Sequence, residues 1–169
     1  GLFPCLLPVD RKNVNKILDN FKFLGQIFAR AILDKRCVDL HLSLPFCQLL
    51  CGQRLTVEDL ELADPALHTL ARLDPSQVEG LCQSMVWAGR ELVPGGEEID
   101  VTAENFDEFK CKAAALILDY GIEEQMDALR EGFNEVFPIV NLGMITPTEL
   151  RTMVTGEPMG KWTVEELRE

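Results

Sequence analysis

The chain has 169 residues, with 28 acidic against 16 basic side chains and a formal charge of −12. A surface this acidic repels phosphate backbones, so nucleic-acid binding is not expected, whereas a basic partner surface would be attracted if the acids cluster. Hydrophobic residues make up 47%, enough for one domain or two small subdomains sharing a core, yet no apolar run is long enough to span a membrane.

The segment GLFPCLLPVDRK is apolar first and basic later, the reverse of a signal peptide. The chain begins without Met, as a fragment does. From Asn13 to Asp34, Val14, Ile17, Phe21, Leu24, Phe28 and Ile32 recur at helical spacing, and Ile27 and Ala31 widen the stripe. Gly25 admits a close neighbour. CVDLHLSLP follows as an extended connection. Ser43 ahead of Leu44-Pro45 starts a helix that Gly52 stops. Thr56 heads the short helix TVEDLEL, and Asp64-Pro65 starts another that carries Leu67, Leu70 and Leu73. LDPSQVEG is a loop or a short helical turn. LCQSMVW is a candidate strand, AGRE can contribute to the turn after it, and EEIDVT is expected to pair with a neighbouring strand after the Pro94-Gly95-Gly96 reversal.

Thr102 is the expected N-cap of a helix from Ala103 to Tyr120. Phe106, Phe109, Ala113, Leu116, Ile117 and Tyr120 form its stripe. Its C-terminal half is apolar nearly all round and belongs in the core, while Phe106 and Phe109 face something local or external. A helix from Ile122 to Val136 ends at Phe137-Pro138. Thr146, Pro147 and Glu149 form a capping box with Pro at the first helical position, and Gly156 ends that helix. KWTVEELRE opens a final helix capped by Thr163.

Six cysteines, at positions 5, 37, 47, 51, 82 and 111, sit mostly among apolar neighbours. This pattern suits reduced thiols inside the cell, in cytoplasm or nucleus. Cys47 and Cys51 share a helix face near His41, but a metal site wants four ligands and the chain has 2 His, so no metal is expected. Cys37 follows Lys35-Arg36 and Cys111 lies between Lys110 and Lys112. Flanking helical charges point elsewhere, so neither is a nucleophile candidate of weight. Paired acids such as Glu97-Glu98 and Glu123-Glu124 do not face each other on a helix. No Walker loop, GxSxG or HExxH is present, so no catalytic residue or cofactor is expected.

Between Asp64 and Ala113 lie a leucine helix, a hairpin and the Phe end of a longer helix. A lone hairpin is marginal in water and must lean on helices, which tends to leave a shallow apolar groove. The same residues also fit a closed mini-core in which Leu70, Leu73 and Phe109 only pack. At this point both readings stand.

FKFLGQIFARAILDKRCVDLHLSLPFCQLLCG resembles the start of the N-terminal lobe of HECT ubiquitin ligases. LTVEDLELADPAL, LVPGGEEIDVTAENFDEF, GIEEQMDALREGFNEVFP and ITPTELRTMVTGE match further stretches of that lobe in order. GLFP and the Trp162 region look most like the ubiquitin-fusion-degradation branch. The resemblance implies a mainly α fold with a small β-hairpin (α+β). Residues 1–62 and 114–169 would form a helical body, and 63–113 a small subdomain that docks a ubiquitin-conjugating enzyme. It implies ubiquitin and a protein substrate as further partners. The acceptor cysteine would lie in a C-terminal lobe, and no His-Thr-Cys-like stretch occurs here. Carried over by position, the docking groove falls on Leu67, Leu70, Leu73, Leu81, Cys82, Phe109 and Ala113. The chain departs from the family in a shorter Leu-helix-to-hairpin segment, and in Ala113 where an aromatic is frequent. A non-catalytic helical scaffold with a degenerate groove is the alternative.

Overall fold

The structure is a computed structural model that describes residues 1–80 and 82–156. The final helix expected around KWTVEELRE lies outside the described residues. Seven α-helices and one two-stranded antiparallel sheet are seen among the described residues, a mainly α fold with a small β element.

Helix α1 spans Val14–Asp34. Helix α2 spans Leu44–Leu50, and the Ser43 hydroxyl caps it by accepting the Phe46 N–H at 3.3 Å. Much later in the chain come α6, Glu123–Val136, and α7, Pro147–Thr155. At the start of α7 the Thr146 N–H donates to Glu149 Oε2 at 2.7 Å, and the Glu149 N–H donates back to Thr146 Oγ1 at 3.2 Å. This is the reciprocal box expected from the sequence.

Helices α1 and α6 pack so closely that two glycines are obligatory. A Cβ on Gly25 would collide with the Leu129 carbonyl oxygen, and one on Gly132 with the Lys22 carbonyl oxygen. Around this contact Phe28, Phe46, Leu50, Met126, Leu129 and Phe133 form the first core.

The second core is built from α3 (Leu60–Ala63), α4 (Pro65–Ala71), α5 (Phe106–Leu118) and the hairpin. Leu60, Leu67, Met85, Phe106, Phe109 and Leu116 are its largest fully buried members. It reaches from Leu60 to Leu118, and so takes in the whole of α5.

The N-terminal segment straps the two cores together. The Leu2 N–H bonds to the His41 carbonyl, and Leu2 bridges Leu42 in parallel. The buried Gln125 amide donates to the Cys5 carbonyl at 2.8 Å, and Arg90 Nη2 donates to the Leu7 carbonyl at 2.7 Å. Phe3 and Leu6 pack against both cores.

Several expectations are corrected. The hairpin does not turn at Pro94-Gly95-Gly96. Strands β1, Val86–Trp87, and β2, Arg90–Glu91, meet across Ala88-Gly89, both of which have positive φ. Gly96–Glu98 is instead a 3-10 turn. The expected pairing of the two outer segments does occur beyond the hairpin's base. The Met85 N–H bonds to the Ile99 carbonyl, the Val101 N–H bonds to the Gln83 carbonyl, and Ser84 bridges Asp100. Val101 is buried but Ile99 is exposed.

Thr102 caps nothing. Its N–H donates to Asn105 Oδ1 at 2.8 Å within a turn, and α5 starts three residues later than expected. The same helix closes at Leu118, leaving Tyr120 exposed past its end. TVEDLEL begins as a 3-10 turn, Val57–Asp59, before α3. Leu73 lies beyond the end of α4.

Candidate functional site

The geometry of the small subdomain is organised by one carboxylate. Asp64 Oδ1 accepts the N–H groups of Ala66 at 3.1 Å and Leu67 at 3.0 Å, which caps α4, with Pro65 in its first turn. Asp64 Oδ2 accepts the indole N–H of Trp87 at 2.9 Å. The first turn of the leucine helix and the tip of the hairpin are thereby tied together. Trp87 then stands edge-on to Phe109, with centroids 6.0 Å apart and planes at 79°. Phe106 stacks with Phe109 at 6.4 Å. Edge-on and offset-stacked rings both suit the aromatic quadrupole. The Gln83 amide braces the hairpin's approach by donating to the Ser84 and Val86 carbonyls, each at 2.8 Å.

On the outer side of Trp87 lies a shallow, open groove of about 540 Å³ between α4 and the hairpin. Asp64, Ala66, Cys82, Val86, Trp87 and Gly89 line it. A second cleft, of about 510 Å³, sits between the end of α2 and α5 and is lined by Leu49, Arg54, Leu55, Val57, Ala114 and Leu118. None of the six described among the expected docking residues lines that second cleft.

The structure separates those seven residues. Leu67, Phe109 and Ala113 are 0% exposed and lie inside the second core. Leu70 and Leu73 are half-buried against the same core. Cys82 is exposed, has φ 48, and lines the groove. Leu81 lies outside the described residues. Among the described residues no open recess therefore lies between the leucine helix and Phe109. Trp87 packs edge-on against the Phe109 ring, and Met85, 2% exposed, is buried in the same core. The residues that do shape an accessible hollow, Asp64, Ala66, Val86 and Trp87, were not among those expected. Trp87 carried a usable signal: a large amphipathic ring beside a turn, with an indole N–H that needs an acceptor.

The thiols behave as burial dictates. All six cysteines are free. Removal from water pushes the Cys47 thiol up to about 12, and burial also raises Cys51, so both stay protonated near neutrality. Among the described residues no three His, Cys, Asp or Glu side chains converge as a metal set would. No described helix is long and apolar enough to cross a membrane.

Comparison with known proteins agrees with the order of motifs along the chain. A family model described as HECT-domain (ubiquitin-transferase) matches residues 5–169. The E3 ubiquitin-protein ligase hecd-1 of Caenorhabditis elegans is 29% identical over 224 residues, covering 99% of this chain and 8% of that protein. The E3 ubiquitin-protein ligase UPL3 of Arabidopsis thaliana is 29% identical, covering 100% of this chain and 11% of its own length. The E3 ubiquitin-protein ligase Ufd4 of Drosophila melanogaster is 35% identical over 116 residues, covering 69% of this chain and 4% of its own length. The chain thus spans a small fraction of each of these curated relatives. A match over nearly all of its residues, on a mainly α scaffold with one small hairpin, means that the chain belongs to the HECT-domain family of ubiquitin transferases.

Proposed function

We propose that this chain recruits a ubiquitin-charged conjugating enzyme, as the docking part of a HECT ubiquitin ligase acting inside the cell, in cytoplasm or nucleus. The carried enzyme's thioester would pass to a cysteine outside these 169 residues, in a C-terminal lobe, and from there to a substrate lysine. In that exchange the acceptor thiolate attacks the thioester carbonyl and the conjugating enzyme's thiol leaves, so no cofactor is called for.

The observation that carries the reading is the accessible groove between α4 and the hairpin, on the subdomain where the family resemblance puts the docking surface. Cys82 lies in that groove, and the half-buried Leu70 and Leu73 belong to the same subdomain. A groove this shallow fits an interface below ~1,200 Å², hence a weak and transient complex. Rapid release suits a carrier that must leave after handing over its cargo.

The scaffold reading has one observation in its favour: Leu67, Phe109 and Ala113 have no exposed surface to offer a partner. Binding of the chain to a panel of charged conjugating enzymes separates the two. Ala66→Arg places a long cation in the groove at an exposed helical position. It is expected to weaken binding at least tenfold with the thermal midpoint unchanged. Uniform absence of binding across the panel would favour the scaffold.

A further inference from the structure

We infer that Trp87 is a lid over Phe109, held shut by Asp64, and that the apolar surface beneath it is uncovered when the hairpin tip swings out. This rests on the docking reading above and extends the accessible groove by a covered apolar patch behind Trp87.

The hairpin is built to move as a unit. Its strands are two residues each, with partners Val86–Glu91 and Trp87–Arg90. So short a ribbon has little stability of its own. Its base is firm: the Leu92 N–H bonds to the Met85 carbonyl, and both side chains are buried. Beyond that base Gln83 donates to the Val86 carbonyl and Glu91 accepts the Gly95 N–H at 3.3 Å, both local bonds, and two side chains reach from the tip to distant parts of the chain. Trp87 reaches Asp64, and Arg90 reaches the Leu7 carbonyl. The Arg90 tether is incomplete, because its Nε is buried with no partner among the described residues. An unpaired buried donor costs free energy in the shut state and favours opening.

Beneath the lid lies a ready anchor site. Phe109 stacks with the Phe106 ring, and Ala113, one turn on along the same helix, adds only a methyl to the covered surface. With Trp87 displaced, Phe109 presents a ring face to a partner. With Trp87 in place, the indole occupies that position itself. Leu67, Phe109 and Ala113, sealed here, are on this account the covered part of the docking surface.

Asp64→Asn is the discriminating substitution. Asparagine caps a helix as well as aspartate does. It cannot cap α4 and also accept the indole N–H as the two carboxylate oxygens do, because one of its terminal atoms is a donor. Opening is read by thiol labelling at Ala113→Cys, followed peptide by peptide in the full chain. The native Cys47, 1% exposed in the other core, reports global unfolding in the same sample. Asp64→Asn is expected to speed labelling at position 113 at least fivefold relative to Cys47, and to tighten binding of a charged conjugating enzyme three- to tenfold. Acrylamide quenching of Trp87 fluorescence in a Trp162→Phe background, which leaves position 113 native, is expected to rise in parallel. Equal acceleration at 113 and Cys47, or none at 113, overturns the lid. Selective opening with weaker binding also overturns it, making Trp87 a contact residue. Selective opening with no binding by either form leaves the lid motion standing and removes the docking reading instead.

Discussion

Phe109 is the residue whose environment most changes its expected behaviour. With no exposed surface and a ring on either side, its truncation removes core packing before it touches any partner. Phe109→Ala is expected to destabilise the fold by about 3–5 kcal/mol, the cost of a large cavity in a close-packed interior, as measured by urea titration. A loss under 1 kcal/mol would mean that the ring is not packed as described. Gly25→Ala tests the opposite error, overfilling. The added methyl meets backbone, not a flexible side chain, so helices α1 and α6 must separate. A loss of about 1–3 kcal/mol is expected in the same assay.

Single elements divide into those whose local signals agree and those in which they compete. Ser43-Leu44-Pro45, Thr146-Pro147-Thr148-Glu149, Gly52 and Gly156 each carry a cap or stop consistent with the flanking hydrophobic period, and the structure follows them. Thr146→Ala removes the hydroxyl half of its box and keeps the backbone N–H bond to Glu149, and should cost about 1 kcal/mol, read as a lowered thermal midpoint. The hairpin shows the competing case. Pro94-Gly95-Gly96 is a stronger turn signal than Ala88-Gly89, yet the ribbon turns at the latter, where Ala88 adopts φ 50. Tertiary contact prevails there: burying Met85 and Leu92 together sets the register, and a local signal cannot report a contact between them. Thr102 fails for a related reason, since Asn105 three residues on takes its N–H for a turn. The docking residues were harder still to read. Position along the chain says which subdomain holds Phe109 and Ala113, but only packing says that they point inward.

At the scale of the whole molecule, two cores are joined by a strap, and charge clasps the α1–α6 pair of the first. Lys22 on α1 reaches Glu131 and Glu135 on α6, each at 2.7 Å, and Arg11 grips Glu124 through two hydrogen bonds. The Arg11 hydrogen bond holds the Glu124 carboxyl below its ordinary value of 4.5, and Lys22 does the same for Glu135. A depressed carboxylate contributes fully above that ordinary value and loses its contribution as pH falls through the lower folded value. Lys22 is shifted the other way, raised above 10.5 by hydrogen bonds to Glu131 and Glu135, so its contribution is complete below 10.5 and fades as pH rises past the raised value. The thermal midpoint is therefore expected to be flat near neutrality, to fall below about pH 4.5 and to fall again in strong alkali. Lys22→Met should flatten the alkaline limb and soften the acid one. Removing residues 1–7 is expected to cut the link between the cores and to turn one calorimetric transition into two.

That strap also sets an order of events during synthesis. Arg11 and Cys5 wait for partners 113 and 120 positions downstream, Glu124 and Gln125, so this strap is made before the helix that seats it and is among the last parts to settle. Until α6 emerges, Phe3 and Leu6 are sticky and without a full seat, and a chaperone that shields short apolar peptides has its best target there.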